Sequence, residues 1–331
     1  MQIRGLHFYT GKGYKLNPVP RAKLDEFAST GIFDYIVHMG QPDQVCFKHT
    51  QSAAERTAVV TQSINDFKAF LNQWKDSRID SKRMWVTIPI LNVSKSDQIT
   101  FTKAYDFLSY CKSFIDQAST AIRNTLGDNF WDDDFEGFNF RLEMIHPVST
   151  KISRTNPTEN PTVKLMNSLS AYIRDMGKQF MWCPYYGYGD FPENITYNIG
   201  VIANRTNIFD HILIQPAYYF QDGNGCDKTN LSGVYQSVRD QEVQDLDYNP
   251  IAGGRASNAT AAIGVVMEAD DYAVVSGDSG KKARFQEYLT KFDTFVNEAP
   301  PIAFYAGPPS NILDYNKALL NQIESFYKDN K

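Results

Sequence analysis

Short apolar runs of β-type composition alternate along this chain with longer stretches that carry apolar residues at helical spacing. The clearest alternation is FEGFNFRLEMIH, from Phe135 to His146. There Phe138, Phe140 and Leu142 share one parity, and Asn139, Arg141 and Glu143 share the other. Such a strand has one apolar face and one that needs hydrogen-bonding partners wherever it is buried. Further strand-like segments are Ile3 to Tyr9, Phe33 to Met39, Met84 to Leu91, Phe180 to Tyr186, His211 to Tyr219, Ala262 to Glu268 and Ile302 to Tyr305. Helix patterns cover Arg21 to Ser29 and Ala53 to Trp74. Another runs from a cap at Ser96-Asp97 through Phe101, Tyr105, Leu108 and Ile115, and a fourth passes through Leu165, Leu169 and Ile173. A short helix is expected near Val234 to Val243, and a last one follows Gly307-Pro308-Pro309.

Strand and helix alternating over a whole chain predict a parallel sheet with helical crossovers. Eight such units, spaced by roughly 30 to 50 residues, fit a closed (β/α)8 TIM barrel of the α/β class better than an open doubly wound sheet. The 331 residues form one domain (1–331) on this reading, with long loops after strands 4 and 6. No GxGxxG follows the first strand and no GxxxxGK[ST] occurs, which removes the case for a dinucleotide or P-loop fold.

Composition narrows the partners. The net charge is -5 and Lys and Arg are dispersed rather than striped, which argues against nucleic acid. No apolar run approaches the roughly 20 residues of a transmembrane helix, so no membrane insertion is expected. Met1 to Arg4 leads straight into a strand-like segment, so no leader is expected in this chain; an exported mature protein would look the same, and localisation stays open. Oligomeric state is not indicated. Cys46, Cys111, Cys183 and Cys226 are scattered, and there is no HxH, HExxH or Cys/His cluster, so no metal and no cofactor is expected. The absence of GxSxG removes an esterase elbow. The 19 Tyr, 22 Phe and 4 Trp, with Tyr concentrated at strand ends, suit stacking on an oligo- or polysaccharide; packing around a barrel mouth is the bland alternative.

In this fold catalytic groups stand at the C-terminal ends of strands. Two glutamates do so: Glu143 on the fourth strand and Glu268 on the seventh, a pair of the kind glycoside hydrolysis needs. His38, Asn92, Arg141, Tyr185, Tyr186, Gln215, Tyr219, Asp270 and Tyr305 are the candidate substrate contacts. Arg141 either holds a carboxylate ionised or pairs in the core with an acid such as Asp34. His7 and His38 suit a sugar hydroxyl or a core hydrogen bond equally, and Asp270 and Asp271 either bind ligand or cap a turn. The leading reading is a glycoside hydrolase. Its rivals are a non-catalytic carbohydrate-binding barrel and a hydrolase or lyase using a metal on Asp270, Asp271 and His38.

WCPYYGYGD (Trp182 to Asp190), FDHILIQPAYYF (Phe209 to Phe220), GVVMEADD (Gly264 to Asp271) and FYAG (Phe304 to Gly307) resemble blocks of an uncharacterised bacterial family, a domain of unknown function described as glycosidase-like TIM barrels. FDYIVHMG (Phe33 to Gly40) and GFNFRLE (Gly137 to Glu143) fall where its other blocks would lie. More remotely, glutamates ending strands 4 and 7 are similar to the retaining clan A glycoside hydrolases. That resemblance implies Glu143 as acid/base and Glu268 as nucleophile. The clan has Asn directly before the fourth-strand glutamate, where this chain has Leu142.

Overall fold

The computed structural model describes residues 4–9, 18–40, 45–91, 98–187, 189–220, 228–270, 274 and 279–329. Asn92, the Ser96-Asp97 cap, Cys226 and Asp271 lie outside the described residues. In chain order the elements are β1 (Arg4–Tyr9), α1 (Arg21–Thr30), β2 (Tyr35–Met39), α2 (Ala53–Lys75), β3 (Arg83–Ile88), α3 (Gln98–Thr102), α4 (Leu108–Leu126), α5 (Asp128–Asp133) and β4 (Phe135–Phe140). They continue as α6 (Pro161–Asp175), β5 (Gln179–Trp182), α7 (Pro192–Arg205), β6 (His211–Ile214), α8 (Lys228–Asp240), β7 (Ala262–Glu268), α9 (Ser279–Phe292), β8 (Ile302–Tyr305), α10 (Pro309–Leu313) and α11 (Ala318–Asp329).

The strands pair in sequence order, all parallel, and β8 closes on β1, giving the expected (β/α)8 barrel. The alternation read in the fourth segment is the one observed. Phe138, Phe140 and Leu142 belong to the large core between strands and helices, while Asn139 faces inward, its amide donating to the Thr87 hydroxyl at 3.2 Å. Inside the barrel a smaller apolar cluster joins Tyr35, Val37, Trp85, Met181, Leu213 and Val266. Helices turn their apolar stripes to the outward strand faces; α2 is set by a Ser52/Glu55 capping box and buries Phe67, Phe70 and Trp74.

Several strands are shorter at their C-terminal ends than the apolar runs suggest. The segments expected to reach Leu91, Tyr186 and Tyr219 end at Ile88, Trp182 and Ile214. Each meets a proline within two residues (Pro89, Pro184 and Pro216), which has no N–H for the ladder. β4 ends with the Phe140–Trp182 pair, because β5 goes no further. Glu143 thus stands three residues beyond its strand. Twenty residues (141–160) separate β4 from α6 and include a single 3-10 turn, so the long loop after strand 4 is present. Among the described residues no helix is long and apolar enough to cross a membrane.

Candidate functional site

At the C-terminal end of the barrel, the carbonyl of Glu143 accepts from the Tyr185 N–H (3.0 Å). Its Oε1 accepts from Gln215 Nε2 (3.2 Å), and the same amide nitrogen donates to the Cys183 carbonyl (2.7 Å). Pro184 and Pro216 end the regular ladder, yet Gln215 N–H still reaches Pro184 O (2.8 Å) and Tyr186 N–H reaches Gln215 O (2.9 Å). The segment after β6 is thereby laid beside the one after β5, and Gln215 is brought under Glu143. Glu143, Arg141, Gln215 and Tyr305 line one small cavity, with His7 and Cys183 below them.

Arg141 sets its guanidinium 5.1 Å over the Tyr9 ring, which meets Tyr305 edge-on at 5.5 Å. Asp34 is at the other end of the barrel, bonded to Arg4 at 2.9 Å, so Arg141 does not pair with it. Burial, and then Tyr9, push the Tyr305 phenol well above its ordinary value. His7 is buried inside the barrel, 3.4 Å from the Tyr35 hydroxyl; burial pushes it down to about 3, so it is neutral at ordinary pH.

Glu268 is placed differently. It is wholly buried, and both carboxylate oxygens are occupied. Oε1 accepts from Ala217 N–H (2.8 Å) and Oε2 from the Tyr288 hydroxyl of α9. That phenol oxygen in turn accepts from the N–H groups of Tyr218 (3.1 Å) and Tyr219 (2.9 Å). Ala217 takes a left-handed backbone (φ 54), which turns the QPAYY segment across the end of β7. Burial raises the Glu268 carboxyl to about 7, against the lowering effect of the bonds from Tyr288, its own N–H and Ala217.

The remaining candidates divide. Tyr185 joins Gln215 in an isolated bridge beside Glu143. Tyr186 is fully buried, its hydroxyl donating to the carbonyls of Gln244 (2.8 Å) and Asp245 (2.9 Å), and its ring fills the space left by Gly233, where a Cβ would approach within 2.4 Å. Tyr219 is also fully buried; its hydroxyl bonds Asp270, whose other oxygen takes Lys281 Nζ at 2.8 Å. His38 sits on the outward face of β2, between Phe67 and Phe70 of α2 at 4.9 and 4.8 Å, and burial pushes it down to about 3. His38 and Asp270 thus face different layers, and among the described residues no three His, Cys, Asp or Glu side chains are grouped to hold a metal ion.

Sequence reasoning missed Tyr288. It belongs to a helix behind the barrel, and only the pattern of a buried phenol on α9 could have pointed to it. Tyr9, read as a strand end but not as a contact, joins Arg141 to Tyr305.

No family model matches the chain, and neither does any curated protein. The resemblance to one uncharacterised family is therefore borne out only in its fold, a (β/α)8 TIM barrel. Similar solved structures include a chitinase-like agglutinin from Robinia pseudoacacia (12% identity, 98% of this chain and 99% of that one, TM-score 0.49). They also include a glycoside hydrolase family 5 enzyme from Prevotella bryantii (11%, 98% and 96%, 0.49). A third is a family 18 chitinase from Flavobacterium johnsoniae (9%, 99% and 94%, 0.48). Likeness at this level carries no argument about activity, and what the chain does has to be argued from its own side chains.

Proposed function

We propose that this chain is a glycoside hydrolase acting on an oligo- or polysaccharide at the C-terminal mouth of its barrel, with Glu143 and Glu268 as the working carboxylates. The observation that carries this reading is the segment Gln215–Ala217, which donates to Glu143 at one end and to Glu268 at the other. Cleavage of a glycosidic bond needs one carboxyl to protonate the leaving oxygen and a second to attack or to activate water. Glu143 borders the cavity and takes the acid/base role, while Arg141, Tyr185, Gln215 and Tyr305 contact the sugar. Burial raises the Glu268 carboxyl to about 7, in the range over which a general base that activates water works.

The complete burial of Glu268 favours a second reading, a carbohydrate-binding barrel without turnover in which Glu268 only holds the QPAYY segment. Digestion of a glycan panel by the wild type and by Glu143→Gln and Glu268→Gln separates the two. Hydrolysis lost in both variants supports the pair, and full activity in both overturns it. Glycan binding with no cleavage by the wild type selects the second reading.

A further inference from the structure

The last ladder pair between β6 and β7 is Ile214 with Val265, and on the other side a lone bridge joins Gln215 to Tyr185. Tyr218 and Tyr219 follow beyond Pro216 and are buried, so their N–H and C=O groups need partners. Helix α9 supplies them from its side chains. The Tyr288 oxygen accepts from both N–H groups (3.1 and 2.9 Å), and Arg284 Nε donates to the Tyr219 carbonyl (2.6 Å). Glu287 accepts from the Tyr218 hydroxyl (2.6 Å), and Lys281 reaches Asp270 (2.8 Å), which the Tyr219 hydroxyl also bonds. Lys281, Arg284 and Tyr288 are spaced by three and then four residues, which puts them on one face of the helix.

The phenol that holds the segment also donates to Glu268 Oε2. With two amides on its oxygen, its own proton is left to the carboxylate. Ala217, whose N–H meets Oε1 at 2.8 Å, is joined directly to Tyr218. One donor on the Glu268 carboxyl therefore stands on α9, and another belongs to backbone that α9 grips. The charged side chains on this side of the barrel are engaged elsewhere: Lys281 on Asp270, Glu287 on Lys228 (3.2 Å) and Arg284 on the Tyr219 carbonyl. Among the described residues, the Glu268 carboxyl is bonded by Tyr288, Ala217 and its own N–H.

We infer that Tyr288 and Arg284 are positioning residues for Glu268: from an outer helix they fix the orientation of the strand-7 carboxyl and of the backbone amide that meets it. Both act through Glu268 rather than on the sugar. The inference rests on the reading of Glu268 as a working carboxylate, and a readout that needs no turnover keeps the two separable. A role confined to stability would lower the folded fraction and leave the proton affinity of Glu268 where it is. A positioning role changes that affinity, because each donor favours the ionised carboxyl over the neutral one.

The test is the titration of Glu268 in the full chain, followed by NMR of carboxyl-labelled glutamate and identified by the signal that Glu268→Gln removes. Tyr288→Phe is expected to raise the midpoint by about one pH unit, a tenfold change in proton affinity for the loss of one charge-assisted bond. Arg284→Met is expected to raise it by less, about half a unit, since it loosens Ala217 without touching the carboxyl. Arg284→Lys keeps a donor for the Tyr219 carbonyl and should return the midpoint toward the wild type. Tyr172→Phe, whose hydroxyl bonds Asp116 at the surface, should leave it in place. On a glycan that the wild type cleaves, the rise of kcat/KM with pH should shift in the same variants by the same amounts. A midpoint unmoved in Tyr288→Phe, or in Arg284→Met should the first variant not fold, overturns the inference. So does an Arg284→Lys midpoint displaced as far as that of Arg284→Met. Midpoints that move while the kcat/KM profile stays put, or a wild type that cleaves no glycan, count against the proposed role of Glu268 in turnover and not against its positioning from α9.

Discussion

Glu143 and Glu268 follow parallel strands of one barrel and are tied to the same segment, yet their surroundings are opposite. Glu143 stands three residues past its strand, half-buried, with Gln215 donating to one oxygen and a cavity in front of it. Glu268 is the last residue of its strand, fully buried, with a phenol and a backbone amide on its two oxygens. The difference teaches that position at a strand end supplies the carboxyl but not its access. Where the ladder stops, and what folds over it, decide how openly the carboxyl faces the cavity.

The sharpest way to break the contrast is Glu143→Gln. Hydrolysis of a responsive glycan should fall about 10²- to 10⁴-fold, the contribution of general acid–base catalysis, with unfolding by denaturant little changed. A large loss of stability instead would give Glu143 a structural role and count against its acid/base role.

Next comes pH. Glu268 has its folded value raised to about 7, above the roughly 4.3 of an unfolded chain, so the native state holds the extra proton between these limits. Its contribution to stability is present below about pH 4.5 and is lost as pH rises through 7. The difference in unfolding free energy between wild type and Glu268→Gln should shrink by about 3 kcal/mol across that window. His7 and His38, both pushed down to about 3, act with the opposite sign: their contribution is present above about 6.5 and lost as pH falls. Both proteins carry these histidines, so the difference curve cancels them; a flat curve would count against a titrating Glu268.

Tyr288→Phe should destabilise by about 2 kcal/mol in denaturant unfolding, because the Glu268 carboxyl and two buried amides lose their common partner. A cost equal to that of Tyr172→Phe, whose hydroxyl bonds Asp116 at the surface, would remove Tyr288 from the network. The smallest effect is expected for Lys281→Met, below about 1 kcal/mol, since its pair with Asp270 is partly exposed. A larger loss would extend the rigid side of the comparison to Asp270 and Tyr219.

What was legible in the sequence follows from where polarity survives inside the barrel. In β4 and directly after it the inward parity carries Asn139 and Arg141, so the period of two is visible and both faces can be assigned. In β2 every residue is buried, as both sides of a barrel strand are covered, and FDYIVHM gives no sign that His38 faces the helices while Val37 faces inward. The tyrosines at strand ends were visible as a group. Which of them lie beneath the mouth was not, because Tyr186 and Tyr219 are covered by residues distant in the chain.

The Tyr288 hydroxyl joins an outer helix to the backbone of the mouth through one oxygen atom. Hydrogen exchange at the amides of Tyr218 and Tyr219 should therefore be slowed as long as α9 stays in place. Their exchange is expected to follow the opening of that helix, some seventy residues away in the chain, rather than the local mobility of the loop.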